Sequence, residues 1–149
     1  MVTFNFELVK GHGVASGLAS DPRFFTGTIA LQLPFFQALG LNIDHFHQAT
    51  LNAQFNCQEI ILKHVDYRFK KIKWHQDIPA EDFCLSHCRV LHAKQSYPGI
   101  IYQPVIKTKT EHFHPKNQLE ILAPFIANIK YGDALSLAVT DKTLTMING

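Results

Sequence analysis

The chain has 149 residues, of which 46% are hydrophobic and 17% charged, so we expect one packed domain spanning residues 1–149. This composition excludes disordered, collagen-like and coiled-coil proteins, and a net charge of +2 lacks the basic surplus of duplex-binding proteins, so no nucleic-acid partner is expected. The sequence has no long apolar run and no signal-peptide layout, so we expect no membrane partner. Three cysteines, an odd and small number, indicate reduced thiols, so we expect a cytoplasmic protein.

Short apolar or alternating runs predict about eight strands. The nine candidate runs are residues 3–9, 28–31, 50–55, 66–74, 83–91, 99–102, 119–122, 134–140 and 144–147. Residues 34–39 predict a short helix, with Pro34 in its first turn and Gly40 as its stop, and residues 124–129 predict a single helical turn. Short strands without a βαβ rhythm favour a mainly β fold, a single-domain closed or nearly closed antiparallel barrel.

The segment Thr50-Leu51-Asn52 places two polar side chains two residues apart. On a strand, Thr50 and Asn52 point to one face while Leu51 points to the core. Two hard oxygen atoms on one face can share a Mg²⁺ ion that also binds phosphate oxygens. The alternative is a strand edge whose polar residues face water.

A second segment, Leu119-Glu120-Ile121-Leu122-Ala123-Pro124, is followed by Tyr131-Gly132-Asp133. It predicts a buried strand and a tight turn. Glu120 lies between two apolar residues, so its side chain is expected to face away from theirs. It then lies outside the core or inside a polar ligand cavity.

Several short motifs occur in a fixed order: Val14-Ala15-Ser16-Gly17-Leu18, Pro34-Phe35-Phe36, Leu39-Gly40, Thr50-Leu51-Asn52, His112, His114, Pro115, Leu119 to Pro124 and Tyr131-Gly132-Asp133. This order resembles that of the archaeal CTP-dependent riboflavin kinase family, with the chain as a divergent member. The resemblance implies a closed cradle-loop β-barrel of six to eight strands with one or two short helices, which binds a nucleotide or a flavin-like molecule. Residues 63–103 have no counterpart in it.

The resemblance also implies a set of site residues. Thr50 and Asn52 would be the Mg²⁺ ligands, and CTP would be the phosphate donor to riboflavin. The nucleotide-binding residues would be Ser16, Gly17, Leu18, Phe125 and Lys130. The flavin-binding residues would be Glu120 and, depending on a small insertion, either Thr110 or His112. No general base is identifiable.

Nine histidines and three cysteines permit a metal-binding hypothesis. The H-x-H pairs His45/His47 and His112/His114 would each face one side of a strand, as in cupin-like metal sites, but a glutamate at cupin spacing is missing. Cys84 and Cys88 would also share a face, without a second regular pair of zinc ligands. The simpler interpretation is surface imidazoles and buried thiols that act as small hydrophobes.

The run Arg68-Phe69-Lys70-Lys71-Ile72-Lys73-Trp74-His75 alternates cations with aromatic and aliphatic residues. Such a run can hold single-stranded nucleic acid by stacking and phosphate contacts. With the low net charge, we favour one solvated face of a strand, with Tyr67, Phe69 and Ile72 facing inward.

Two alternatives to a phosphotransferase stay open. One is a non-catalytic ligand-binding protein of the same fold, because Ala19-Ser20-Asp21 stands where the family has further glycines and Ala49 replaces a glycine before Thr50. The other is a His-ligated metal-binding β-barrel.

Overall fold

A computed structural model of the chain describes residues 1–10, 28–105 and 115–148. Over these ranges it contains one α-helix and nine β-strands. The elements are β1 (Val2–Val9), α1 (Thr28–Ala38), β2 (Leu51–Gln54), β3 (Glu59–Leu62), β4 (Tyr67–Ile72), β5 (Glu81–His92), β6 (Gln95–Val105), β7 (Gln118–Leu122), β8 (Ala134–Val139) and β9 (Leu144–Ile147).

Six of the strands form a ring of antiparallel pairs. The order around the ring is β5-β6-β7-β2-β1-β8, and β8 returns to β5 by pairing with Arg89–Leu91. β4 pairs with the first half of β5, outside the ring, and β3 pairs with β9 in a separate two-stranded sheet. The prediction of a mainly β, antiparallel fold is therefore confirmed.

Alternation along the strands gives the large sheet two apolar faces. The inner core receives side chains from all six ring strands, among them Phe6, Ala53, Val90, Ile101, Ile121 and Leu137. The outer core lies on the opposite face, between the sheet and α1, and includes Ile29, Leu33, Phe36, Phe69, Phe83, Leu85, Ile100, Tyr102 and Leu122. Burial on both faces explains the unbroken apolar runs within β5, β6 and β7, at residues 83–85, 100–102 and 121–122.

The helix is longer than expected, and the strand predicted for residues 28–31 is wrong. Ile29, Leu33 and Phe36 recur at helical spacing and are all buried, so a helix buries one apolar face that a strand would split between two. Pro34 was expected in the first turn but lies inside the helix, on its exposed side. The stop at Gly40 is confirmed, because Gly40 has a φ of +103°.

The helical turn predicted for residues 124–129 is also wrong. The segment forms an irregular turn in which Asn128 has a φ of 64°. Asp133 closes it, because its carboxylate accepts a hydrogen bond from the backbone N–H of Lys130 at 2.9 Å. A residue whose backbone lies in the left-handed region interrupts a right-handed helical turn.

Within the described ranges, no helix is long and apolar enough to cross a membrane, since α1 has 11 residues.

Gly99 is required by the close approach of β6 to β5. Its register partner is Cys88, and a Cβ atom at position 99 would lie 2.9 Å from the Cys88 sulfur. We therefore expect Gly99→Ala to lower the free energy of unfolding by about 1–3 kcal/mol, as overpacking does in tight cores. Urea denaturation measures this change.

The matched control is Gly99→Ala in a Cys88→Ala background, which removes the sulfur that the new methyl group would meet. The substitution is expected to cost less there than in the wild-type chain. An equal cost in both backgrounds would show that the contact with the sulfur is not the cause.

Candidate functional site

Thr50, Asn52 and Glu120, assigned from two separate motifs, lie together in the structure. β2 pairs with β7 so that Asn52 is directly opposite Glu120. The Thr50 hydroxyl donates a hydrogen bond of 3.0 Å to Oε1 of Glu120, across 70 residues of sequence. All three residues are half-buried.

The three polar residues stand on the outer face of the sheet. Their neighbours Ala53, Leu119 and Ile121 belong to the inner core, and Leu51 packs against it. The prediction that Leu51 faces the core, opposite Thr50 and Asn52, is therefore confirmed. Of the two positions left open for Glu120, the structure shows a half-buried carboxylate outside the inner core, bonded to a neighbouring strand.

The polar row continues onto β6 and α1 through two residues that the sequence reasoning missed. Tyr102 is the partner of Glu120 on β6, and its hydroxyl donates a hydrogen bond of 2.6 Å to Oε1 of Gln32. Gln32 is 2% exposed. The sequence contains one signal for Gln32, which shares a helical face with the apolar residues Ile29 and Phe36. A buried amide on such a face is nearly always hydrogen-bonded, so a partner for Gln32 could have been expected.

The position of Tyr102 next to Glu120 affects its acidity. Burial raises the pKa of the Tyr102 hydroxyl well above its usual value, and the negative charges of Glu120 and Glu81 raise it further, whereas the bond to Gln32 acts in the opposite direction. Tyr102 is therefore a neutral hydrogen-bond donor that links the site to the helix.

Phe125 and Lys130 lie in the loop that follows β7. Phe125 is 71% exposed, and its ring contacts that of His47 edge-on at a centroid distance of 5.5 Å. The backbone N–H of His47 donates to the carbonyl of Ala123 at 2.9 Å. These contacts connect the loop to the segment that enters β2 four residues later, at Leu51. Lys130 is exposed.

The remaining residues assigned through the resemblance lie outside the described residues: Ser16, Gly17, Leu18, Thr110 and His112, together with His114. The first described residues next to them are informative. β1 ends at Val9, whose register partner is Asn52. The end of β1 therefore lies beside Asn52.

The other histidines and cysteines do not assemble into a metal centre in the part of the chain that the structure describes, where no group of three or more His, Cys, Asp or Glu residues is suited to hold an ion. His45 and His47 lie in a turn and not on a strand, which corrects the expectation for this pair. Cys84 and Cys88 share one face of β5, and both are buried. Burial raises the pKa of the Cys88 thiol to about 12.

The basic run forms β4 and the residues after it. Phe69, Ile72 and Trp74 are buried, and Tyr67 packs against the outer core. The inward-facing positions are therefore confirmed, and the rings of Phe69 and Trp74 are packed within the outer core. The cationic residues Arg68, Lys70, Lys71 and Lys73 are exposed.

Chemically, the row combines one carboxylate with a hydroxyl and a carboxamide. All three supply hard oxygen atoms, the ligands that Mg²⁺ prefers. The Thr50 hydroxyl donates a hydrogen bond to Glu120, so its oxygen lone pairs are directed away from that bond. They are therefore able to coordinate a cation. The chain matches no protein-family model and no curated protein sequence.

The acidity of Tyr102 generates a prediction about stability at high pH. The tyrosine of the unfolded chain loses its proton near its usual pKa of 10.0, whereas the folded protein retains it. Above that pH the folded state binds more protons, so the free energy of unfolding falls, by up to about 1.4 kcal/mol per pH unit for this group. Tyr102→Phe should flatten this decline, as measured by urea denaturation between about pH 9 and pH 11.

The control is Tyr131→Phe, which removes a hydroxyl from a side chain that is 58% exposed. It is expected to leave the decline unchanged. If Tyr131→Phe flattens the pH dependence as much as Tyr102→Phe does, the account of Tyr102 is wrong.

Proposed function

We propose that the protein is a cytoplasmic phosphotransferase of the riboflavin-kinase-like type, which transfers a phosphoryl group from CTP to riboflavin with the help of Mg²⁺. In this proposal the ring of strands is a cradle-loop β-barrel, and the ligands bind on its outer face, beside Thr50, Asn52 and Glu120. The single observation that carries the proposal is the convergence of Thr50, Asn52 and Glu120 on one face of two paired strands.

This convergence supports the proposal because the residues come from two motifs that are distant in the sequence. Thr50 and Asn52 belong to the first motif, and Glu120 belongs to the second. A slip of one residue in the pairing of β2 with β7 would turn one set to the opposite face. Instead, Asn52 and Glu120 are direct partners.

Each residue has a distinct role in the proposed reaction. Thr50 and Asn52 hold the cation, which neutralises charge on the phosphate oxygens when it is bound. Glu120 accepts a hydrogen bond from the Thr50 hydroxyl and thereby fixes the Thr50 rotamer in which the hydroxyl oxygen faces the cation. The same carboxylate orients the acceptor.

The resemblance to the riboflavin kinase family supplies the other members of the proposed site. Backbone N–H groups near Ser16, Gly17 and Leu18 bind the phosphates. Phe125 and Lys130 flank the nucleotide, and Thr110 or His112 contacts the flavin. Catalysis of phosphoryl transfer consists mainly of positioning and charge neutralisation, so the proposal requires no general base on the protein.

A second candidate is a binding protein of the same fold that does not catalyse transfer. The observation that favours it is the sequence after Leu18, where Ala19, Ser20 and Asp21 replace glycines. Glycine lets the backbone approach phosphate closely, whereas a carboxylate repels it.

The test uses the purified chain with CTP, Mg²⁺ and riboflavin, and measures FMN by chromatography. The double substitution Thr50→Ala/Asn52→Ala is expected to reduce FMN formation by at least about 100-fold, as the loss of groups that stabilise transferring charge does. The matched control, Thr145→Ala/Asn148→Ala, also removes one hydroxyl and one carboxamide but lies on and after β9. It should retain activity.

The outcomes separate the candidates. Full activity in the Thr50→Ala/Asn52→Ala variant would contradict the metal assignment. No FMN, with neither CTP nor riboflavin raising the melting temperature, would contradict the kinase. Ligand binding without FMN formation would favour the non-catalytic protein.

A further inference from the structure

A cleft with a volume of about 400 Å³ opens on the outer face of the sheet, at the opposite end of β2 from Thr50. It lies where β1, β2 and the start of β8 meet the loop after β2. Ala134 is the register partner of Glu7, and its small side chain leaves the space open. The polar residues that line the cleft are Asn5, Glu7, Gln54, Asn56 and Asn117.

Four of these residues are carboxamides, which both donate and accept hydrogen bonds. Two of them are held in place by bonds to their oxygen atoms. Ser136 donates to Oδ1 of Asn5 at 2.8 Å, and Gln118 donates to Oε1 of Gln54 at 3.0 Å. Each of these bonds uses the amide oxygen and leaves the two N–H donors for other partners.

Charge restricts the ligand further. Among the described residues that line the cleft, Glu7 is the one that carries charge, and none is a lysine, arginine or histidine. A carboxylate repels phosphate and other anions, and no cation in the lining offsets it. The cleft therefore disfavours anions. A ligand that fits it donates to Glu7 and also accepts from the amide N–H groups, which a simple cation, having no acceptor atoms, does not do.

The apolar lining argues against a flat heterocycle. Nucleobases and similar rings are held by stacking on exposed aromatic faces. The two aromatic residues of the lining, Phe6 and Phe55, are 4% and 1% exposed and pack on each other at a centroid distance of 5.7 Å. They form part of the inner core and offer almost no ring surface to a ligand.

From these observations we propose that this amide-lined cleft is a binding site for a neutral polyhydroxylated molecule, a monosaccharide or a polyol. Each hydroxyl group of such a molecule can donate to the carboxylate or to a side-chain carbonyl of the lining, and can accept from a neighbouring side-chain N–H. Adjacent hydroxyl groups therefore match the polar groups of the cleft. The volume suits a molecule of this size. The inference is independent of phosphoryl transfer and uses none of the residues assigned to it.

The test titrates the ¹⁵N-labelled full chain with D-ribose, D-glucose and myo-inositol in turn, and follows the side-chain N–H signals of Gln54, Asn56 and Asn117 by NMR. At least one of the three probes is expected to shift these signals saturably. Cytosine and inorganic phosphate, added at the same concentrations, should leave them in place.

Ala134→Leu fills the cleft from an exposed strand position and is expected to weaken binding by at least about tenfold. The matched control is Ala80→Leu, at an exposed alanine before β5 that does not line the cleft. It should bind as the wild type does. If Ala134→Leu fails to fold, Asn56→Ala supplies the same test from an exposed loop residue, with Gln76→Ala as its control.

Three results would overturn the proposal. The first is that none of the three polyols shifts the amide signals. The second is that Ala134→Leu, or Asn56→Ala in its place, binds as tightly as its control. The third is that cytosine or phosphate shifts the same signals at lower concentration than any polyol. FMN formation plays no part in these readouts, so the failure of either proposal is distinguishable from failure of the other.

Discussion

The pairing of β2 with β7 determines where the polar side chains of Asn52 and Glu120 lie. It closes one side of the ring and fixes Asn52 opposite Glu120. In a strand the side chains alternate, so a slip of one residue would carry Asn52 to the inner face and bring Ala53 outward. The fully buried Ala53 and Ile121 hold the register, because they have no place on the half-exposed side. Packing of the inner core thus determines where the polar row lies.

The outer core connects that row to the helix. α1 covers β4 to β7 with Ile29, Leu33 and Phe36, and the same helical face carries Gln32. The bond from Tyr102 to Gln32 satisfies a buried amide oxygen. Without its donor, that oxygen would lose the free energy of a buried hydrogen bond. Tyr102 therefore joins the helix, through its hydrogen bond to Gln32, to the strand position opposite Glu120.

Much of the fold could be predicted from alternation. β1, β2, β7 and β8 follow the pattern of apolar and polar residues closely, because each has one face on the inner core. The helix was harder to place. Ile29 and Leu31 alone fit the two-residue period of a strand, whereas Ile29, Leu33 and Phe36 fit the 3.6-residue period of a helix. A window of four residues is too short to distinguish the two periods. In β3 the three residues after Glu59 form a continuous apolar run, for which periodicity gives no signal.

The long β5–β6 hairpin shows a different limit. Its turn is formed by Ala93 and Lys94, both with positive φ values of 50° and 65°, where asparagine and glycine are the usual residues. Pro98 and Gly99 also lie inside β6, although both residue types usually mark strand ends. Of the candidate site, the two motifs predicted Thr50, Asn52 and Glu120. Tyr102 and Gln32 join them only through tertiary contacts, which local patterns do not encode.

We propose that Thr50, Asn52 and Glu120, which lie together on β2 and β7, form one cation and nucleotide site. Its most direct test is paramagnetic broadening of NMR signals by Mn²⁺ in the presence of CTP. The account predicts that the Asn52 side-chain amide and the backbone amides of Thr50 and Glu120 broaden first, while those of the hairpin turn at Ala93 and Lys94 keep their intensity. Broadening centred on surface histidines such as His64 and His87, with sharp signals at Asn52 and Glu120, would contradict it.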